Sequence, residues 1–359
     1  MKAQGLIIGA SLLPVAYACS NLLVTPGATE DGTSMITYNA DSAALYGQLY
    51  HYPASTNENG TMRKVWDWDT GVYLGDIEEA PETYNVVGNV NEWGLSIGET
   101  TFGGLAELNE GQDAALIDYG SLIWITLQRS KTAREAITVA GELMATYGYA
   151  SEGESFSIAD PNEVWVMEII GKGKNELGAV WVARKIPDGY VSGHANQARI
   201  TTFPLDEPDT TKYSADLIDF ARRAGYFAAD APDEAFDFSA AFNPISFHGS
   251  RYGEVRVWNT ADGACAARLQ LGERRQVVFQ QCVTGLPRVG NHLVDTILNA
   301  LFDGDHHHFT DIGRCMAEMQ CQHDLCLCWY GREGRSVLLT SSDVVSFCMN
   351  AGNGEVTHP

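Results

Sequence analysis

The sequence predicts an α+β fold in which β-sheets and α-helices form layers. Strand-like runs alternate with amphipathic helical patterns up to about residue 260, as expected of a layered sandwich. Of the 359 residues, 45% are hydrophobic and 19% are charged, which is typical of a globular chain. The formal net charge is −23. This excludes a basic nucleic-acid-binding surface as the default and leaves room for a site that attracts a cationic group, such as a substrate amine.

Residues 1–18 have the pattern of a secretory signal peptide. Lys2 supplies the positive start, residues 6–15 form a short apolar run, and residues 16–18 read Ala-Tyr-Ala, an A-x-A cleavage site. A buried N-terminal helix is the alternative, and Pro14 argues against it. We therefore expect a secreted, periplasmic or lumenal protein. No internal apolar run is long enough to predict a membrane span.

Cleavage after Ala18 would make Cys19 the first residue of the mature chain. Three roles are open to it: an ordinary structural or disulfide cysteine, an acylated lipoprotein cysteine, or an N-terminal nucleophile. The lipoprotein role is weakened because Ala16 stands where such sites usually carry Leu. In the third role the free α-amine, with a reference pKa of about 7.7–8, takes the proton of a thiol whose reference pKa is about 8.5.

A predicted hairpin supports the nucleophile role. Residues 19–25 form a strand-like run, residues 26–32 are rich in turn formers and end in Asp31-Gly32, and residues 34–39 form a second strand. The hairpin places Cys19 at a strand start and returns the residues from Asn39 to Asp41 towards it. N-terminal hydrolases use a nucleophile at the start of a strand.

Further elements complete the layered pattern. Three strands are predicted at Ser121–Leu127, Glu163–Ile170 and Ala179–Ile186. Two amphipathic helices are predicted, one capped by Ser130 and stopped by Gly148, the other capped by Ser214 and running to about Gly225. No nucleotide-binding or metal-binding motif is present, so neither a cofactor nor a metal is predicted.

Five stretches carry a family resemblance: CSNLLVTPGATEDGTSMITYNADS (19–42), VVGNVNEWGLSIGETTFGG (86–104), DYGSLIWITLQRSKTAREAI (118–137), GESFSIADPNEVWVMEIIGKG (153–173) and AVWVARKIPDGYVSGHANQARITTF (179–203). Together they resemble the C69 family of peptidases, which are dipeptidases of the N-terminal nucleophile hydrolase superfamily. The resemblance covers about residues 19–258. It implies an αββα sandwich and hydrolysis of dipeptides by the N-terminal cysteine, without metal or cofactor.

The resemblance also implies site residues besides Cys19. Asp41 matches the aspartate that holds the α-amine, although a turn-capping role is the alternative. Asn196 matches the asparagine whose amide stabilises the oxyanion, with a turn residue as the alternative. Arg256 matches an arginine near the active site and could bind a substrate carboxylate, or it could be an exposed strand residue. Glu99 and Thr101 lie where the superfamily places substrate contacts.

One position departs from the superfamily pattern. Many members carry Arg or Lys three residues before the aspartate, and this chain has Tyr38 there. A tyrosine hydroxyl supplies no cation to stabilise a thiolate. His194 and His248 invite a Cys–His pair. An α-amine base makes such a pair unnecessary, so we interpret both histidines as structural.

The composition changes near residue 260. Seven of the eight cysteines lie from Cys265 to Cys348, whereas every lysine lies at or before Lys212. A zinc site is disfavoured because paired C-x2-C knuckles are absent; its candidate ligands are Cys315, Cys321, His323, Cys326 and Cys328. A disulfide-bearing tail is an alternative. We interpret residues 260–359 as a tail not native to the fold, from a shifted frame, a retained intron or a wrong gene model, which leaves the sandwich incomplete.

The leading hypothesis is therefore a cysteine-type dipeptidase occupying residues 19–259. Its partner is a dipeptide or short peptide, and no nucleic acid is expected. The alternatives are an N-acyl amide hydrolase of the same superfamily and a non-catalytic secreted or lipid-anchored binding protein. Side-chain preference stays open, and so does assembly into a homo-oligomer.

Overall fold

The computed structural model describes residues 19–40, 49–109, 112–247 and 249–257, and four short segments within 327–357. The predicted signal peptide, Asp41, His248 and most of the tail lie outside these residues. The expectations placed on them therefore stay predictions. Within the described part, no helix has the length and apolar character needed to cross a membrane.

Strands β1–β15 are, in chain order, Ser20–Val24, Met35–Ile36, His51–Tyr52, Ser55–Thr56, Met62–Trp66, Tyr73–Glu78, Glu82–Thr83, Val86–Val87, Val90–Asn91, Ser96–Gly103, Gly153–Ala159, Val164–Gly171, Ala179–Lys185, Val191–Ala195 and Thr211–Tyr213. Helices α1–α5 are Ala106–Asn109, Tyr119–Arg129, Ala133–Tyr147, Leu217–Ala224 and Phe238–Phe242. A π-helix spans Gly249–Glu254, and 3-10 turns span Pro26–Ala28 and Asp233–Ala235.

Two antiparallel sheets organise the chain. The larger has eight strands in the order β15-β13-β12-β11-β10-β9-β8-β3, and the smaller has three in the order β14-β1-β2. Two further two-stranded sheets pair β4 with β7 and β5 with β6. In the tail, strands β16–β19, at Leu327–Tyr330, Arg335–Leu338, Phe347–Asn350 and Val356–Thr357, form an antiparallel sheet in chain order.

Successive side chains of the central strands point to opposite faces of the large sheet, so the sheet has a hydrophobic core on each face. In β12, Trp165 and Met167 face the core formed with α2 and α3. Val164 and Val166 face the opposite core, which contains Leu23 of β1 and side chains of α4 and α5. Burial of one such side chain contributes about 1.5–3 kcal/mol. Helices thus cover one face of the large sheet, while β1 and helices α4 and α5 cover the other, an α+β arrangement.

The prediction of a strand at Ser121–Leu127 is wrong, because this segment lies within helix α2. Asp118 caps the helix by accepting hydrogen bonds from the backbone nitrogens of Ser121 (3.1 Å) and Gly120 (3.2 Å). Nearly all of α2 is buried. Its continuous apolar run therefore lacks the polar face by which a helix is distinguished from a buried strand.

The remaining elements agree with the prediction to within a few residues. The strands predicted at Glu163–Ile170 and Ala179–Ile186 are β12 and β13. Helix α3 ends at Gly148 as predicted, but Thr132, rather than Ser130, accepts the capping hydrogen bond from the Glu135 nitrogen. Helix α4 ends at a left-handed Gly225, and the residue before its first turn is Asp216 rather than Ser214. Glycine tolerates this left-handed conformation without a side-chain clash.

Candidate functional site

Cys19 immediately precedes β1, the central strand of the small sheet. Its residue surface is 5% exposed, and its thiol is not in a disulfide. The backbone nitrogen of Ser20 donates to the carbonyl oxygen of Asn39 at 3.0 Å. This contact confirms that the predicted hairpin returns Asn39 to the start of the strand. Asp41, two residues further along, lies outside the described residues.

The side chains of Asn196 and Arg256 converge on the backbone of Cys19. The Cys19 nitrogen donates to Asn196 Oδ1 at 2.9 Å. Arg256 Nη1 donates to the Cys19 carbonyl oxygen and to Ser20 Oγ, the latter at 2.7 Å, and its Nη2 donates to Asn196 Oδ1. Three predicted site residues, far apart in sequence, thus lie in one hydrogen-bonded group.

Asn196 is held in one orientation by contacts at both ends of its amide. Its Nδ2 donates to the Thr101 carbonyl oxygen at 2.5 Å, while its Oδ1 accepts from Cys19 and Arg256. This orientation suits Asn196 to fixing the nitrogen of Cys19. For Nδ2 to act as an oxyanion donor, it would have to leave the Thr101 carbonyl.

Tyr38 donates its hydroxyl to Glu99 Oε1 at 2.6 Å. Its ring lies against Gly98, where an added Cβ would approach the Tyr38 Cβ to 2.9 Å, so a glycine is needed for this approach. The hydroxyl is therefore engaged with a carboxyl group on β10. Although 37% of the Tyr38 surface is exposed, desolvation of its hydroxyl, followed by the nearby Glu99, raises its pKa well above the usual value, so the hydroxyl keeps its proton at neutral pH.

Glu99 belongs to a buried carboxyl pair with Glu154 of β11. Both residues are at most 2% exposed, and within the described residues Oε2 of each carboxyl group is buried without a hydrogen-bond partner. Thr101 Oγ1 donates to Glu154 Oε1 at 2.7 Å. Burial raises the pKa of both carboxyl groups. Because two buried negative charges close together repel each other, the raised pKa values favour a pair that keeps a proton.

A third acidic residue, Asp69, lies close enough to affect Glu99 electrostatically. Tyr119, at the start of α2, donates its hydroxyl to Asp69 Oδ1 at 2.9 Å. Burial raises the pKa of Tyr119, and the negative charges of Glu99, Asp69 and Glu154 raise it further. Burial also raises the pKa of Asp69. The electrostatic potential beside Tyr38 is therefore negative, in agreement with the negative net charge of the chain.

His194 occupies a polar contact between the two sheets. Its Nδ1 lies 2.7 Å from Thr100 Oγ1, and its Nε2 lies 2.7 Å from Ser157 Oγ. Thr100 Oγ1 donates to the Ala195 carbonyl oxygen, so a neutral ring with its hydrogen on Nδ1 satisfies both contacts. Burial lowers the pKa of His194 to about 3, with a further contribution from Arg199. This geometry fits a structural histidine.

Sequence reasoning missed Glu154 and Glu168, which are ionisable residues inside strands that are otherwise mostly uncharged. Glu168 is fully buried on β12, and its two oxygens accept from the backbone nitrogens of Arg199 (2.5 Å) and Ile200 (3.0 Å). A glutamate within the run VWVMEIIG was the available signal, because charged side chains are rarely buried without a specific partner.

Among the described residues, no group of three or more His, Cys, Asp or Glu side chains is placed to hold a metal ion. The cysteines and His323 considered for zinc are not among the side chains that the structure describes. The arrangement that is described can orient the backbone of Cys19 and place positive charge beside it.

A sequence model of "Peptidase family C69" matches residues 45–263. A "Probable dipeptidase" of Latilactobacillus sakei is 27% identical over 261 residues, covering 67% of this chain and 52% of the relative. A "Probable dipeptidase" of Salmonella dublin is 26% identical over 258 residues, covering 67% and 57%. A "Probable dipeptidase A" of Streptococcus pyogenes serotype M3 (strain SSI-1) is 26% identical over 257 residues, covering 67% and 53%. The chain thus spans about half the length of the curated relatives it matches.

Proposed function

Because the chain belongs to peptidase family C69, we propose that it is a dipeptidase that hydrolyses short peptides with Cys19 as the nucleophile. The observation that carries the proposal is the convergence of Asn196 and Arg256 on the nitrogen and carbonyl oxygen of Cys19. A buried backbone nitrogen needs an acceptor whatever the role of its residue, but a structural cysteine does not also need a guanidinium beside it. A nucleophile gains from both, because Asn196 can orient the base and the cation favours the thiolate.

The reaction begins when removal of residues 1–18 frees the α-amine of Cys19. The amine takes the thiol proton, and the sulfur attacks the peptide carbonyl carbon to give a tetrahedral intermediate. The resulting ammonium returns the proton to the leaving amine as the C–N bond breaks, which leaves a thioester. Water, activated by the same amine, then releases the second product and restores the thiol.

Asn196 and Arg256, which hydrogen-bond each other, support this chemistry from beside the Cys19 backbone. Asn196 Oδ1 accepts a hydrogen from the amine and so directs its lone pair towards the thiol. Arg256 places a guanidinium beside Cys19 and supplies the positive charge that Tyr38 lacks. The cation favours the thiolate and the oxyanion over their neutral forms. Asp41 is the expected further partner of the ammonium.

The substrate ammonium would be attracted by the negative electrostatic potential of the region that contains Glu99. The Tyr38 hydroxyl covers Glu99 Oε1, so direct contact with a substrate requires this hydroxyl to move. Thr101 contributes through its carbonyl oxygen, which orients Asn196. A dipeptide differs from an N-acyl amide in its free ammonium, so a negative potential here favours the dipeptide.

We also propose that the fold is the αββα sandwich of N-terminal nucleophile hydrolases and that the mature protein acts outside the cytoplasm. Helices α2 and α3, the large sheet and the small sheet supply three layers in order. The segment 249–257 approaches the outer side of the small sheet, since an added Cβ at Gly193 would lie 3.6 Å from Val257 Cγ1. Residues after 257 would have to complete the fourth layer.

The test is a comparison of the protein with its Cys19→Ala variant on a panel of dipeptides and N-acyl amino acids. We expect dipeptide hydrolysis that falls at least a thousandfold in the variant, while the circular dichroism spectrum is unchanged. Faster cleavage of N-acyl amino acids would favour the amidase alternative. If the variant retained activity within about tenfold of the parent, Cys19 could not be the nucleophile. An acylated Cys19 in the mass spectrum would favour a lipid-anchored protein.

A further inference from the structure

The groups that contact Cys19 come from two segments far apart in the chain. Asn196 follows β14, and Arg256 follows the π-helix Gly249–Glu254. Sixty residues separate them. The small sheet fixes Cys19 through β1, whereas Asn196 lies just beyond β14 and Arg256 lies in a short helical turn, 255–257, that continues from the π-helix. Neither residue is inside a sheet strand, so contacts made by neighbouring side chains contribute to their positions.

Glu168 fixes the first segment from the large sheet. Its carboxyl group accepts from two successive backbone nitrogens, those of Arg199 and Ile200. Glu168 itself is on β12 with both neighbouring strands paired to it, so it is a rigid anchor. Two bonds to one carboxyl group set both the distance and the orientation of the turn that carries Asn196.

Arg199 links this segment to the second one. Its Nη1 pairs with Glu254 Oε1, and the two side chains are only 5% and 17% exposed. Glu254 lies two residues before Arg256. The π-helix also packs closely on the first segment, because an added Cβ at Gly253 would come within 3.2 Å of Gln197 Cβ and 3.3 Å of the Asn196 carbonyl oxygen.

We infer that Glu168, Arg199 and Glu254 are positioning residues of the cysteine site: Glu168 holds the turn that presents Asn196, and the Arg199–Glu254 pair holds the segment that presents Arg256. This inference rests on the proposed function, because it assigns the three residues to the reaction of Cys19. They contact neither the thiol nor a substrate. They act by keeping two donors aligned, and a displacement of about 1 Å in such groups can lower a rate by about a hundredfold.

The test uses variants of the whole chain assayed on the best dipeptide of the panel. We expect Arg199→Met and Glu254→Gln each to lower kcat by about 10- to 100-fold with KM changed less than threefold. The double variant should be no slower than the slower single variant, because both changes break the same pair. Arg199→Lys should recover part of the loss. Arg222→Met is the matched control, since Arg222 pairs with Asp233 away from Cys19, and it should keep kcat within twofold.

A second readout does not depend on dipeptidase activity. Hydrogen exchange should become at least tenfold faster at residues 196–200 in Glu168→Gln, and at residues 249–257 in Glu254→Gln, while β11 and α3 keep their protection. Alkylation of Cys19 by iodoacetamide should also change its pH dependence in both variants. If the parent is inactive on dipeptides but its variants show these exchange changes, the proposed function is contradicted. The structural link between these residues and the two segments would still stand. Unchanged exchange, or additive losses in kcat, would overturn the positioning roles.

Discussion

Arg256 donates a hydrogen bond from Nη1 to the carbonyl oxygen of Cys19, across 237 residues of sequence. The same guanidinium reaches Ser20 Oγ and Asn196 Oδ1. It therefore places a positive charge at the backbone of the proposed nucleophile. Tyr38 is directed elsewhere, since its hydroxyl is bonded to Glu99. Position 38 therefore supplies no cation to Cys19, and the guanidinium beside it comes from Arg256, which matches an arginine that the superfamily also carries near its active site.

Replacement of Arg256 should impair catalysis more than folding. We expect Arg256→Met to lower kcat/KM by about 10²- to 10³-fold and Arg256→Lys to recover only part, because an ammonium cannot reproduce the fork of contacts. The apparent pKa of Cys19 in iodoacetamide alkylation should rise in Arg256→Met. Arg134→Met is a suitable control, since Arg134 pairs with Glu163 away from Cys19. An unchanged alkylation profile would argue against an electrostatic role.

The free α-amine is the second testable feature. A chain that starts Met-Cys19 exposes the amine after methionine removal, whereas a chain that starts Met-Lys-Cys19 keeps the Cys19 nitrogen as an amide. An amide cannot act as a base near neutral pH. We expect the blocked form to lose at least two orders of magnitude in rate, within the 10²–10⁴-fold range of general-base catalysis. Alkylation of its thiol should persist. Equal rates for the two forms would place the base elsewhere, and His194 would be tested first.

His194 should be dispensable for the chemistry. With a pKa of about 3 it is neutral across the working range, and both ring nitrogens are occupied by Thr100 and Ser157. His194→Gln should cost about 1–3 kcal/mol in the free energy of unfolding, because a buried hydrogen-bonded group is lost. Its kcat at 25 °C should stay within fivefold, with the acid limb of the pH profile unmoved. A shifted acid limb would show that His194 titrates during the reaction.

How far the sequence predicts this structure depends on the range of the interactions. Strands β12 and β13 follow from short apolar runs in the sequence, and the ends of α3 and α4 follow from terminal glycines. Helix α2 was mistaken for a strand because its burial on nearly all sides removes the polar face that identifies a helix. The grouping of Cys19, Asn196 and Arg256 was expected only through family resemblance. The partners of Tyr38 and Glu168 depend on tertiary contacts that no local pattern encodes.

Asp118 should be essential for the stability of α2. It accepts from two helix nitrogens and from the Trp68 nitrogen, the last at 3.0 Å. Asp118→Ala should lower the free energy of unfolding by about 2 kcal/mol, the upper end for loss of an N-cap. Asp118→Asn keeps an acceptor oxygen and should recover most of it. Asp237→Ala, at the short helix α5, provides a comparison and should cost about 1 kcal/mol. Urea unfolding measures all three, and a neutral Asp118→Ala would contradict the capping role.

The carboxyl pair of Glu99 and Glu154 makes the stability of the protein depend on pH. Burial raises both pKa values above the usual 4.5, so the folded state keeps a proton that the unfolded chain releases. Above about pH 4.5 the unfolded state therefore binds fewer protons, and stability falls as pH rises, by about 1.4 kcal/mol per pH unit for each proton that differs. Glu154→Gln removes the need for the proton while keeping a hydrogen-bonding group. We expect the free energy of unfolding of this variant to fall less steeply between pH 6 and pH 8 than that of the parent.

Glu163→Gln is the opposite control: hydrogen bonds from Arg134 and Lys185 lower the pKa of Glu163 to about 2 against the opposing effect of burial, so its variant should keep the parent's slope in this range. Parallel curves for the parent and Glu154→Gln in urea unfolding across this range would show that the pair holds no extra proton.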